Sequence, residues 1–304
     1  MLAYIARRLA QGVPVLFGVS LLVFAMVHLV PGDPVSIMLG ENPSATDAEV
    51  LRNQLGLDRP LPQQYLEFAS RALQGDLGVS IRSRRPVFDE IADRAPSTIQ
   101  LTVAAVALAV LLGITAGVLA ASGPSPLREA AQILSLAGLS LPTFWLGLLL
   151  ILVVASWLRL LPVTASGPEG LVLPAITLAS PAAAVIARMT RSTMLETLTT
   201  DAVRTARAKG LPERVVLIRH VLRASLIPVV AIVGLQFGGL LAGSVIVESV
   251  FARPGIGRLA VQAILQRDFP LVQGVVLLVS TTYVLVNIFV DLLYAFVDPR
   301  IRYA

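Results

Sequence analysis

The stretch DAVRTARAKGLPERVVLIRHVLRASLIPVVAIVGLQFGGLLAGSVIV, residues 201–247, sets two kinds of sequence side by side. Its first ten residues are basic and helix-prone. Its last 22, 226–247, are almost wholly apolar, and about 20 such residues are enough to cross a bilayer. The rest of the chain resolves the contrast in favour of a membrane. Of 304 residues, 56% are hydrophobic and 14% charged, where a soluble domain carries about 25% charged residues. Mean hydropathy is +0.80. The net charge of +5 fits basic loops beside a membrane, and no aromatic-interleaved basic patch points to nucleic acid. There is no cysteine, which excludes disulfides, iron–sulfur clusters and thiol chemistry.

Six stretches are candidate spans: 9–30, 98–121, 131–157, 171–187, 226–247 and 271–297. The fourth is short and interrupted by Pro174 and Pro181. The first is preceded by Arg7 and Arg8, but its apolar run is too long for a signal peptide and it reads as an uncleaved anchor. With the N-terminus inside, short inner segments hold 13 cations and short outer ones 4. The 31–97 segment exceeds the length over which the positive-inside bias is counted and is left out. The sequence therefore predicts an all-α polytopic membrane protein of six transmembrane helices with both termini cytoplasmic. A long extracytoplasmic segment follows the first helix, and a cytoplasmic helix lies between the fourth and fifth. The division is an anchor plus outer segment, 1–97, and a five-helix core, 98–304, that contains the cytoplasmic segment 188–225. In the outer segment, the spacing of Tyr65, Phe68 and Leu73 predicts a helix.

The opening stretch also carries helix punctuation. Thr200 is placed to cap a helix whose first turn holds Asp201 and whose last turn holds Arg207 and Lys209, as the helix dipole favours. Gly210 can take the left-handed conformation that ends it, and Pro212 suits the first turn of a following helix through ERVVLIRHVLRAS. Ala202, Val203 and Ala206 form a shallow apolar face, while Arg204 and Arg207 project together. Interfacial lipid anchors bury bulky Leu, Phe or Trp, so a face of small residues suits close docking on another protein.

DAVRTARAKGL followed by RHVLRASLIPV resembles the cytoplasmic signature of binding-protein-dependent ABC importer permeases, in particular their dipeptide/oligopeptide/nickel branch. The general signature is Glu-Ala-Ala, three residues, Gly, then Ile-x-Leu-Pro after nine more. Its first three positions fall on Arg204, Thr205 and Ala206, its glycine on Gly210, and its last four on His220, Val221, Leu222 and Arg223. Ala206, Gly210 and Leu222 match, and the departures at Arg204, Thr205, His220 and Arg223 are those the branch usually shows. Ala202 stands where branch members typically have Tyr or Phe. RRLAQGVPVLFGVSLLVFAMVHLVPGDP, GDLGVSIRSRRPV, GLSLPTFWLGLLLI, VESVFARPGIGRLAVQAILQRDFPLVQG and NIFVDLLYAFVDPRIRY resemble the branch in order along the whole chain.

The resemblance implies a permease subunit in a bacterial or archaeal inner membrane that imports peptides or related small solutes. It implies a second homologous permease, two ATPase subunits that bind ATP and Mg, and an extracytoplasmic substrate-binding protein. Asp201, Arg204, Thr205, Ala206, Arg207, Ala208, Lys209, Gly210 and Leu211, with His220 and Arg223, would form the coupling element against an ATPase. The chain itself is not expected to be an enzyme or to bind a cofactor or metal. It lacks G-x-x-x-x-G-K-[ST], and Lys209 is its one lysine.

Polar groups inside spans are costly and mark bundle interiors or water. Gln236, Gly239 and Ser244 in the fifth span, Glu248 at its end, and Asn287 and Asp291 one turn apart in the last are candidates for the pathway or the permease interface. His28 and His220 are too far apart in sequence to suggest a metal site, and His28 reads as an interfacial residue. The alternative function is a secondary transporter powered by an ion gradient. That mechanism favours charges near the midplane, and Asp291, toward one end, is the only charge well inside a span.

Overall fold

Backbone hydrogen bonding within each segment dictates the architecture, because hydrocarbon offers no partner for a free N–H or C=O. The computed structural model describes residues 2–29, 58–164 and 167–297. Residues 31–57 of the predicted outer segment, and Arg300 and Arg302 of the charge count, lie outside the described residues. Ten helices are present among those described: α1 (Leu2–Leu29), α2 (Leu61–Leu73), α3 (Val87–Ser122), α4 (Ser125–Ser140), α5 (Thr143–Trp157), α6 (Glu169–Leu198), α7 (Asp201–Ala208), α8 (Glu213–Val250), α9 (Ile256–Leu265) and α10 (Phe269–Val297). Five of them, α1, α3, α6, α8 and α10, are long and apolar enough to cross a membrane. The bent pair α4 and α5 brings the number to six if it counts as one span. The protein is a polytopic all-α membrane protein, as the composition predicts.

Three spans differ from their sequence reading. The third, expected as one helix over 131–157, starts at Ser125 and is bent by 113° between α4 and α5. Pro142 has no N–H to continue the ladder and forces Leu141 into an extended conformation, φ −82° and ψ 126°. The fourth is longer than expected. Pro174 and Pro181 lie inside an unbroken 30-residue helix, which neighbouring helices cover along most of its length. The fifth begins at Glu213, so the predicted second cytoplasmic helix and the fifth crossing are one 38-residue element. Within it, Val216–Leu222 widens into a π-helical turn. Pro212 stands just before its first turn rather than within it.

The chain forms two compact units. The first comprises Met1–Pro96 with Pro254–Leu285. In it, Phe24 of α1 packs on Tyr65 and Phe68 of α2, and the Tyr65 hydroxyl lies 2.8 Å from Ser20 Oγ. Leu73, predicted on the same face, is exposed instead. Val87 and Ile91 of α3 pack with Ile256, Leu259 and Ala263 of α9 and with Leu271, Val272 and Val275 of α10.

The second unit, Ser97–Arg253 with Val286–Ala304, is built around α6. Leu101, Ala105 and Ala109 of α3 meet Leu173, Leu178, Ala182 and Ile186 of α6 in its core, which also takes in Val229, Val247 and Phe251. The stretch GITAG, 113–117, sets the spacing of α3 and α6. A Cβ on Gly113 would lie 2.7 Å from Ile186 Cβ, and one on Gly117 2.5 Å from Thr190 Cβ. Two glycines four residues apart let helices approach to backbone contact, where dispersion replaces the hydrophobic driving force that lipid does not supply. The approach seals the Thr190 hydroxyl oxygen away from any hydrogen-bond partner among the described residues.

Gly117→Leu should therefore destabilise the detergent-solubilised chain by about 3 kcal/mol, the upper part of the usual overpacking range. Gly239→Leu, where a Cβ meets open space, should leave it unchanged. Thermal unfolding followed by intrinsic tryptophan fluorescence tests both.

Candidate coupling site and membrane polar residues

Asp201–Ala208 is helical, with the bounds the punctuation predicts. Thr200 occupies the cap position in extended conformation, but its hydroxyl turns back and donates to the Thr197 carbonyl at 2.7 Å instead of capping. The C-terminus ends as expected. Gly210 sits at φ +74°, where it has no Cβ to clash. Its N–H donates to the Arg207 carbonyl at 2.9 Å, and the Leu211 N–H donates to the Ala206 carbonyl at 3.3 Å. These two bonds are a Schellman closure. A guanidinium fork locks the turn from outside: Arg207 Nη2 and Nε donate to the two Glu213 oxygens at 2.6 and 3.1 Å. The pairing raises the Arg207 pKa above its ordinary value. Both side chains are about half exposed, so the fork sets geometry more than stability. Arg204 pairs with Asp201 at 3.2 Å rather than joining Arg207.

The apolar face points opposite to the sequence reading. Val203 and Ala206 are buried against the protein's own helices, and Ala202 is exposed. Their neighbours are Val118 and Ala121 of α3, Met194 and Leu198 of α6, and Val216, Leu217, Val221 and Leu222 of α8. The small side chains thus seat α7 on the ends of three spans of this chain. The outward face carries Asp201, Ala202, Arg204, Thr205, Arg207, Ala208 and Lys209, with Gly210 and Leu211 at the turn. His220 is half-buried and Arg223 exposed farther along α8.

The membrane candidates divide. Glu248 is fully buried and accepts a hydrogen bond from Thr98 Oγ1 at 2.6 Å, and Ser244 is buried with its hydroxyl on the Leu241 carbonyl at 2.8 Å. Neither lines an open surface in this conformation. Burial lowers the nearby Arg253 pKa, and the Glu248 charge opposes that shift. Gly234 presses on Val290, whereas Gly239 faces open space and Gln236 is half-buried. Asn287 and Asp291 are also half-buried. His28 is satisfied by the Phe24 carbonyl and by Gln64, which fits its interfacial reading. Among the described residues no group of three His, Cys, Asp or Glu side chains could hold a metal.

Sequence reasoning missed Asp268. It is buried and gathers Ser80 Oγ at 2.5 Å, the Ile81 and Arg82 N–H groups at 3.2 Å each, and the Leu271 N–H at 3.3 Å. Its cap role was signalled by Asp-Phe-Pro at the start of α10.

A bundle of apolar helices with a cationic helix seated between two of them is that of a polytopic membrane protein, and comparison with known sequences settles the family. The chain belongs to the binding-protein-dependent transport system inner membrane component family, whose signature matches residues 109–303, with its N-terminal region matched over 1–102. It is a permease subunit of an ABC importer, a multi-pass inner-membrane transport component. Glutathione transport system permease protein GsiC of Escherichia coli O6:H1 (strain CFT073) is 46% identical over 305 residues, with 100% of both chains covered. GsiC of Shigella dysenteriae serotype 1 (strain Sd197) is similar to the same extent. Among solved structures, an amino acid ABC transporter crystallised with histidines shares the fold with a TM-score of 0.53 at 19% identity. The match covers 70% of this chain and 94% of that one.

Because Ala206 faces inward, Ala206→Trp should overfill the seat and lower the melting temperature of the isolated chain. Ala202→Trp, on the outward face, should not. Equal melting temperatures for the two variants would contradict the placement of α7.

Proposed function

We propose that the chain is one half of a heteromeric import pathway for peptide-like solutes, with glutathione or a closely related small peptide as cargo. The substrate reading follows from the full-length likeness to glutathione permeases. A second homologous permease completes the pathway, and both termini are cytoplasmic. Two ATPase subunits bind ATP and Mg, and an extracytoplasmic binding protein delivers cargo. This chain carries out no hydrolysis.

One observation carries the mechanism. The seat of Val203 and Ala206 joins α7 to the ends of α3, α6 and α8. A groove that grips the outward face at Asp201, Arg204, Thr205, Ala208 and Lys209 would push on three spans at once. The Schellman closure at Gly210 and the Arg207–Glu213 fork make the elbow stiff enough to pass displacement rather than absorb it. Gln236, Gly239, Asn287 and Asp291 are the pathway or permease-interface positions, while Glu248 and Ser244 hold the core.

The test is Gly210→Val in the complex reconstituted with its ATPases. A β-branched residue at φ +74° is strained and loosens the elbow. Transport per ATP hydrolysed should fall about tenfold or more while insertion and complex formation persist. Gly210→Asn, which tolerates the left-handed region, should retain most activity. Normal coupling in Gly210→Val would overturn the assignment.

A further inference from the structure

We propose that the π turn Val216–Leu222 is a register switch between α7 and the fifth span, with the Ser225 hydroxyl as its two-position latch. This rests on the coupling role proposed above for α7.

The seat requires the widened turn. Val216 and Val221 are both fully buried in the cluster that takes in Val203 and Ala206. At 3.6 residues per turn, positions 216 and 221 of an α-helix would point about 140° apart, so only one could face the cluster squarely. Bonding from i to i+5 brings residues five apart toward the same side. Ile218 and Arg219, between them, are exposed. The stretch VLIRHVL contains no glycine or proline, so nothing in the local chain imposes the π geometry. The turn is held open by what it packs against, and it tightens to the α form when that packing is withdrawn.

The latch lies where α8 meets α6. The buried Ser225 hydroxyl donates to the Val221 carbonyl at 2.8 Å, across the boundary between the π turn and the α-helical span. The Thr197 hydroxyl donates to the Thr193 carbonyl of its own helix at 2.7 Å. The two hydroxyl oxygens are 3.2 Å apart. Each hydroxyl has one proton to donate. Both protons go to carbonyls, so the bond between the hydroxyls is unmade. Ser225 can therefore release Val221 and donate to Thr197 Oγ1 without losing a hydrogen bond. A serine bonded to the carbonyl four residues back bends its helix, so this exchange alters the helix where the widened turn ends.

Displacement of α7 then has a defined consequence. Moving Val203 and Ala206 takes the packing away from one of the two valines. The turn closes, and the helix on its two sides shifts by one residue, about 100° and 1.5 Å. The stiff elbow delivers the push, and the turn converts it into rotation about the axis of the fifth span.

The chain has no cysteine, so single thiols report burial directly. Val216→Cys and Val221→Cys chains, assembled with their ATPases, are labelled with a small water-soluble maleimide in the nucleotide-free and the ATP-trapped state. The expected result is protection of both thiols without nucleotide and labelling of one of them about tenfold faster, or more, in the trapped state. Thr197→Val removes the second latch position and keeps the first. It should abolish that difference and lower transport per ATP hydrolysed several-fold at an unchanged melting temperature. A lower melting temperature with normal transport per ATP would show a merely structural hydroxyl and overturn the latch. Amide hydrogen exchange across 216–225 of the unsubstituted complex is the second measurement, with protection expected to differ about tenfold between the two states. Equal protection in every nucleotide state of a transporting complex would overturn the switch and leave the permease reading standing. A wild-type chain that assembles with no ATPase would instead sink the permease reading.

Discussion

The approach of α3 to α6 at Gly117 and Thr190 is the contact on which the rest depends. One helical turn farther along each helix come Ala121 and Met194, which the approach brings into a single buried cluster. That cluster is the floor on which Val203 and Ala206 sit. A side chain at Gly117 would separate the two helices and open the floor. The same glycine spacing therefore serves both span packing and the placement of the element between the fourth and fifth spans.

From this floor outward, each feature of the elbow has a separate physical cause. Burial of Val203 and Ala206 fixes which face is hidden. The left-handed Gly210 ends the helix, and the fork from Arg207 to Glu213 fixes the angle at which α8 departs. The polar residues left over form the outward face because they have no place in the floor. A charged surface backed by three helix ends is suited to receiving force from a partner.

Local punctuation was legible and contact was not. Asp201–Ala208 and the turn at Gly210 could be read because caps, dipole charges and glycine act within a few residues. The amphipathic pattern showed that Ala206 is buried, but not against what. Pro142 breaks its span while Pro174 and Pro181 do not, because α6 is held by neighbours on most sides and the α4–α5 junction is exposed. Gly113 and Gly117 were hidden in a run where lipid-facing and protein-facing residues are equally apolar, so no periodicity marked them. Glu248 was read as a pathway candidate because its partner Thr98 lies 150 residues away. Asp268 showed its cap signal, but its hold on Ser80 needed the fold.

The most direct measurement is which polypeptide lies against the outward face of α7. The chain contains no cysteine, so Ala208→Cys gives a single attachment point for a short thiol-directed photo-crosslinker. In the assembled transporter, with and without ATP, the account predicts adducts to an ATPase subunit. Adducts to lipid or water alone in every nucleotide state would contradict it.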